Sequence, residues 1–295
     1  MSWHQLSLRV DSPQLAEDLS DWLQDRGALA VTLLDSGDQP VFEPPPGEQP
    51  LWPGVEVQAL FEAVPEVDEL LSALVRELGL DETPSWQMES VADRDWERAW
   101  LDDFEPMRFG RRLWIVPSAY PEALRGDGVR IRLDPGLAFG TGTHATTALC
   151  LEWLDACLQP GQRLLDYGCG SGILAIAAAK LGAERVWGVD IDPQALDASR
   201  ENARANGVAQ RLELSLARDF TPPAGIDVLM ANILANPLQE LAASFAQWLQ
   251  PGARLVLSGV LTEQAAAVSR TYAPWFAMAE PVTQENWVLL EGRRL

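Results

Sequence analysis

Residues that build metal and redox centres are scarce in this chain. Its 295 residues include only two histidines, His4 and His144, and three cysteines, Cys150, Cys157 and Cys169. No two cysteines form a C-x-x-C pair, so a zinc site lacks ligands and the thiols are expected to be reduced and buried. Apolar runs are short as well. None reaches the roughly 18 residues of a membrane span, and the N-terminus shows no basic-then-apolar leader. The expectation is a soluble, cytoplasmic protein that does not engage a membrane. Lysine is almost missing: Lys180 stands alone beside 21 arginines, an imbalance that the base composition of a gene can produce without any function.

Acids outnumber bases, and unevenly. Residues 1–90 carry 18 Asp and Glu against 3 arginines, whereas residues 91–295 carry 25 against 19, so most of the net charge of −21 lies in the first third. Such a field opposes a phosphate backbone and steers a basic partner; an acidic surface kept for solubility gives the same count. With 47% hydrophobic residues, the chain can bury cores for two domains.

Hydrophobic periodicity divides the first domain into strands and helices. Trp3 to Val10 alternates as a strand, and Ser12-Pro13 supplies an N-cap and a first-turn proline for a helix over Gln14 to Arg26, closed by Gly27. A strand over Ala28 to Leu34 follows, then a stiff loop, Pro40 to Pro53, around Pro44-Pro45-Pro46-Gly47. The pattern repeats with strand Val55 to Phe61, helix Pro65 to Leu78 and strand Ser85 to Val91. The order βαββαβ is that of a small ferredoxin-like α+β domain over residues 1–90. It carries no clustered nucleophile and base, which points to holding a substrate. Asp93 to Trp100 reads as a short helix within a connector over 91–103, its Trp96 and Trp100 either packing or forming a partner face.

The chemistry lies in residues 104–295. Leu164-Leu165-Asp166-Tyr167-Gly168-Cys169-Gly170-Ser171-Gly172 is a strand that runs into a glycine turn and then into an alanine-rich helix. Glycines at alternate positions allow positive φ, leave no Cβ between backbone and ligand, and aim the helix N-terminus at it. Val186 to Asp190 is a second strand that ends in an acid 22 residues after Gly168, placed to accept from ribose hydroxyls. Ile173 replaces the third glycine of a dinucleotide fingerprint, and the Lys-Ser/Thr pair of a P-loop is absent. Asp166 would repel a pyrophosphate but suits the amino group of a cationic adenosine cofactor such as S-adenosylmethionine. D-x-G-x-G-x-G with an acid closing the next strand resembles motifs I and II of the class I methyltransferases.

Two further segments sharpen this. Asp134 to Thr147 is a Gly- and Thr-rich loop that feeds a helix over Thr146 to Leu158 and can close over a ligand; its His144 is either a general base or a helix cap. The strand Ile226 to Ala231 ends in Asn232-Ile233-Leu234-Ala235. Methyltransferases acting on amino nitrogens often carry Asn-Pro-Pro-aromatic here. Keeping Asn232 while losing the prolines and the aromatic suits an aliphatic amine rather than a stacked base. Helix Leu238 to Leu249, strand Arg254 to Ser258, helix Thr262 to Tyr272 and a terminal strand pair around Phe276 and Trp287 complete a Rossmann-like seven-stranded α/β sheet.

Together, Val41 to Pro44, Asp95 to Arg98, Pro106 to Gly110, Leu133 to His144, Asp166 to Ser171, Ala231 to Ala235 and Ser258 to Leu261 resemble the ribosomal protein L11 methyltransferase family over nearly the whole chain. Ala145 departs from the proline expected there. The resemblance implies cofactor contacts at Thr147, Gly168, Asp190 and Asn232, added to Asp166, Gly170 and Gly172 from the turn. It implies Asn232 as the residue that orients the amine, and N-methylation of lysine side chains and an α-amine on a basic large-subunit ribosomal protein; no metal is expected from the scarce ligands, no direct nucleic-acid binding from the acidic charge, and the protein is expected to be a monomer. Another protein, a nucleic acid or a small-molecule amine is the alternative substrate.

Overall fold

The computed structural model describes residues 2–37, 52–92, 105–120, 128–134 and 144–295. The proline-rich loop around Pro44 to Gly47, the helix expected over Asp93 to Trp100 and the glycine-threonine loop from Pro135 to Thr143 lie outside them. The chain divides into two compact units, Met1–Trp96 and Glu97–Leu295.

In the first unit β1 (Ser2–Val10), α1 (Pro13–Asp25), β2 (Ala30–Asp35), β3 (Val55–Phe61), α2 (Val67–Leu78) and β4 (Ser85–Ala92) follow in chain order. The four strands form an antiparallel sheet in the order β2-β3-β1-β4. Helix α1 begins where the sequence places its signals: Ser12 Oγ accepts from Leu15 N at 3.3 Å and Pro13 occupies the first turn. Alternate residues of β3, Val55, Val57, Ala59 and Phe61, are buried with Leu19, Leu23 and Leu74 of the two helices, the period of two that a one-sided sheet demands.

The second unit opens with a small sheet of β5 (Met107–Phe109), β6 (Leu113–Val116) and β7 (Val129–Arg132). Its turn is tied to α3 (Ala145–Cys157) by the buried Asp155, whose Oδ2 accepts from Arg111 N at 2.6 Å and whose Oδ1 accepts from Arg112 Nε at 2.9 Å. Strand β5 is too short to show a period and was not foreseen.

The large sheet comprises β8 (Arg163–Tyr167), β9 (Arg185–Asp190), β10 (Leu212–Leu216), β11 (Ile226–Asn232), β12 (Leu249–Leu261), β13 (Phe276–Met278), β14 (Val282–Gln284) and β15 (Trp287–Arg294). Its order is β10-β9-β8-β11-β12-β15-β13, with β14 paired to β15. The strands from β8 to β12 are parallel and those around β15 antiparallel. Helices α3, α4 (Ile173–Lys180) and α5 (Pro193–Ala205) contribute to the core on one face, α6 (Ala235–Trp248) and α7 (Ala265–Tyr272) to the core on the other. Leu164 faces the first core and Leu165 the second, as Val228 and Leu229 do on β11. Strands covered on both faces read as unbroken apolar runs, which is why β8 and β11 were legible.

Several features differ from expectation, among them the start of α7 at Ala265 rather than Thr262. The sheet has eight strands rather than seven, because β14 hairpins onto β15 across Glu285, which adopts a φ of 55°. Strand β12 starts at Leu249 rather than Arg254; it runs through Pro251 and Gly252 (φ 88°), and its register against β11 slips between Ile226 and Val228. Helix α6 starts at Ala235, three residues early. Pro237 then sits in the first turn, where no backbone N–H has an intrahelical acceptor and proline is tolerated.

Tyr272 is wholly buried and donates its hydroxyl to Leu238 O at 2.6 Å, joining α7 to α6. Tyr272→Phe keeps the ring and removes this bond. Urea unfolding is expected to show a loss of about 1 kcal/mol; an unchanged midpoint would mean the hydroxyl contributes nothing.

Candidate functional site

Strands β9, β8 and β11 are neighbours and parallel, so their carboxyl ends share one edge. Chain connections leave β8 toward β9 on one side, while β11 lies on the other. That reversal is where open α/β sheets form their ligand crevice. Tyr167, the last residue of β8, registers with Val189 on β9 and Ala231 on β11. Asp190 and Asn232 therefore stand one residue further on, flanking the glycine turn on either side, roughly 10 Å apart across two strand spacings.

The turn itself is built from the backbone. Gly168, Gly170 and Gly172 have φ of 81°, 52° and 78°. A Cβ on Gly168 would collide with Ile233 Cγ2, and one on Gly172 would lie 2.8 Å from Ser199 Oγ. Any side chain at either position is thus excluded twice, by conformation and by space. Gly168 N and Cys169 N donate to Val189 O at 2.7 and 3.0 Å, folding the turn against β9. Asp190 completes the closure: its Oδ2 accepts from Gly170 N at 2.8 Å and its Oδ1 from Asp192 N at 3.0 Å. Each carboxylate oxygen has a second lone pair for a ligand.

Two residues the sequence reading passed over brace the turn from below. Ser199 Oγ donates to Gly170 O at 2.8 Å and Asn202 Nδ2 to Ser171 O at 2.9 Å. Ser199 is fully buried and shares one helix face with Asn202, three residues on; nothing in the sequence ties that face to the turn.

On the other flank Asn232 Nδ2 donates to Thr147 Oγ1 at 3.4 Å. Thr147 is buried in the first turn of α3, so this contact links the end of β11 to the start of α3 and leaves the amide oxygen of Asn232 as an acceptor. His144 settles as a cap. Its Nδ1 accepts from Thr146 N at 3.3 Å and lies 2.8 Å from Thr146 Oγ1, while its ring meets Trp287 edge-on at 4.8 Å. The nitrogen a general base would need on that side is occupied by the helix. Among the described residues no group of His, Cys, Asp and Glu could hold a metal ion, and no helix is long and apolar enough to cross a membrane.

With this geometry in hand, three comparisons bear on identity. A family model described as ribosomal protein L11 methyltransferase matches residues 2–295. Proteins named ribosomal protein L11 methyltransferase from Methylococcus capsulatus and Azotobacter vinelandii are 53% and 52% identical to this chain; the alignments cover 99% of both chains in the first case and 100% in the second. The crystal structure of a ribosomal protein L11 methylase from Lactobacillus delbrueckii subsp. bulgaricus superposes with a TM-score of 0.59 at 33% identity, covering 65% of this chain and 99% of that one.

Asp166, like Thr147, is buried, and it is the one ionisable residue among the sequence-chosen ones that is. Its Oδ2 accepts from Ala175 N, in the first turn of α4, at 3.0 Å, while its Oδ1 is buried without a partner. Burial pushes its carboxyl up to about 7; the Ala175 N–H opposes this and the nearby Asp190 adds to it. A carboxyl raised in the fold contributes stability that is complete below its unfolded value, near 4, and is lost as pH climbs through about 7. Asp166→Asn escapes that loss. Urea titrations across this range should show the stability difference moving in favour of the variant by about 4 kcal/mol between pH 4 and pH 8. A difference independent of pH would mean that Asp166 titrates alike in the folded and unfolded chains, with no shift on burial.

Proposed function

The chain belongs to the ribosomal protein L11 methyltransferase family, and on that premise we propose that it transfers methyl groups from S-adenosylmethionine to amino groups of ribosomal protein L11. The observation that carries the reading is the contact between Asn232 and Thr147 beside a glycine turn closed by Asp190: a polar acceptor and an acid-lined nucleoside cradle at one sheet edge.

The residues present fit this cofactor. Two carboxylates at the turn disfavour a pyrophosphate and favour a cation, and the buried Asp166 Oδ1 lacks the donor that an ammonium would bring. Asp190 would take the ribose hydroxyls, the backbone of Gly168, Gly170 and Gly172 would cradle the ligand without intervening side chains, and Thr147 would fix the amide of Asn232. When bound, S-adenosylmethionine supplies a methyl carbon on a sulfonium, open to in-line displacement by a neutral amine. Asn232 Oδ1 accepts an N–H of that amine and points its lone pair. Lysine amines near pKa 10.4 and α-amines near 8 are mostly protonated at neutral pH, so a proton must be lost first. Since His144 Nδ1 caps α3, water serves as the acceptor. Catalysis is then largely alignment.

The same reading extends to parts of the molecule away from the turn. The second unit is a class I methyltransferase sheet, its seven core strands carrying one added hairpin strand. Residues 1–90, within the first unit, are a ferredoxin-like domain that holds the basic substrate, its acidic charge steering L11. A connector over 91–103 joins it to the catalytic domain, 104–295. Lysine side chains and an α-amine are the methylated groups, and the enzyme works in the cytoplasm as a monomer without binding nucleic acid.

Mass spectrometry of L11 after incubation with enzyme and S-adenosylmethionine is the test: methyl groups on lysines and the N-terminal amine support the reading, and unmodified L11 overturns it. Within the site, Asp190→Ala should weaken cofactor binding by roughly 1.5 to 3 kcal/mol, read by calorimetry. Asn232→Ala should lower the single-turnover rate by more than it weakens cofactor binding, the pattern of an interaction strengthened in the transition state. Were Asn232 only a fastening between β11 and α3, its loss would lower the melting temperature and spare the rate.

A further inference from the structure

We propose, on the reading that this turn holds S-adenosylmethionine, that Asp166 carries a proton in the ligand-free protein and gives it up when a primary ammonium group binds at the glycine turn, so that binding releases a proton. The argument starts from an oxygen. Asp166 is completely buried, one carboxyl oxygen is satisfied by Ala175 N at 3.0 Å, and the other has no partner. A buried anion with half its acceptor capacity unmet is costly, whereas the neutral acid needs no counter-charge. The N-terminus of α4 favours the anion, but it acts through one N–H.

Among the described residues, none of the titratable groups acting on Asp166 supplies a positive charge. Cys150 of α3 and Cys169 of the turn are buried thiols held well above their usual range, partly by Asp166 itself. Asp190 at the end of β9 is an acid and pushes in the same direction as burial, with the carboxyl reaching about 7. Ser258 and Ser199, bonded to these two thiols, are neutral hydroxyls. What the carboxyl lacks is therefore both a cation and a hydrogen-bond donor.

That double requirement selects the ligand group. A sulfonium brings charge but no N–H, so it cannot satisfy Asp166 Oδ1. A primary ammonium brings both. The amino-acid end of the cofactor is thus the group coupled to the proton, and the coupling should persist in S-adenosylhomocysteine, which keeps the ammonium and has lost the charge on sulfur. It should vanish for methylthioadenosine, which keeps the nucleoside and thioether but has no ammonium. Proton balance is simple: the Asp166 O–H breaks, its proton passes to solvent, and the carboxylate accepts an N–H from the ligand.

Isothermal titration of the full chain with S-adenosylhomocysteine, repeated in buffers of different ionisation enthalpy, measures the protons exchanged. The release is expected to approach one proton per ligand well below pH 7 and to fade as pH rises through about 7, with affinity falling up to about tenfold for each pH unit below that. Methylthioadenosine should bind with no release, and Asp166→Asn should bind S-adenosylhomocysteine with none. Should that variant not fold, infrared difference spectra of the parent protein serve instead: the carbonyl stretch of a protonated carboxyl should disappear when S-adenosylhomocysteine is added. Binding of S-adenosylhomocysteine without proton release, or equal release with methylthioadenosine or from Asp166→Asn, would overturn the coupling and leave the cofactor reading intact. No binding of S-adenosylhomocysteine at all would overturn both.

Discussion

The hydrogen bond from Gly170 N to Asp190 Oδ2, 2.8 Å long, is the constraint on which the rest of the site depends. It holds the end of β9 against a turn that leaves β8, and so turns two adjacent strand ends into one wall of a crevice. The turn can approach so closely only because Gly168 and Gly172 have no side chain to place between it and Ile233 or Ser199. Ser199 and Asn202 then grip the turn carbonyls from α5. A loop of positive-φ residues is strained and entropically expensive for any other side chain; here it is fastened at both its N–H and its C=O groups.

The two walls of the crevice differ in chemistry. On the β9 side the rim groups are acidic, with Asp190 at the strand end, while Asp166 lies buried on β8 between β9 and β11. On the β11 side they are neutral: the Asn232 amide fastened to Thr147, with Ile233 against the turn. A ligand carrying positive charge and ribose hydroxyls suits the first wall, and a neutral nucleophile that has shed its proton suits the second. Placing Asp190 away from the incoming amine matters, because a carboxylate beside that amine would hold it in the protonated, unreactive form.

How much of this could be read beforehand depended on whether the controlling interaction was local. The glycine turn and both strand-end acids were legible because they obey short-range rules: positive φ calls for glycine, and a strand covered on both faces reads as an apolar run. The caps were legible for the same reason, as Ser12 on α1 illustrates. His144 was left open between base and cap, since only the position of Thr146 decides it. The complete burial of Asp166 was not legible: its place two residues before Gly168 suggested only that it suits the amino group of a cationic ligand, whereas the start of α4 covers it. Strand β12 was cut short at Pro251-Gly252 because those residues usually end an element, yet β11 alongside sustains the pairing through a register shift. Strand β14 depends on a hairpin at Glu285 and Asn286 whose left-handed residue is not a glycine, a turn without a local signature. Ser199 and Asn202 lie about thirty residues from the loop they brace, beyond the reach of any pattern of fixed period.

The central claim is that the shared edge of β9, β8 and β11 binds S-adenosylmethionine with its reactive end toward Asn232. A crystal structure of the full chain soaked with S-adenosylhomocysteine tests it most directly. The account predicts the ribose hydroxyls within hydrogen-bond distance of Asp190, the ammonium on the Asp166 side of the turn, and the sulfur facing the Asn232 amide. A ligand seated elsewhere, or one bound at this edge with its sulfur turned away from Asn232, would contradict it.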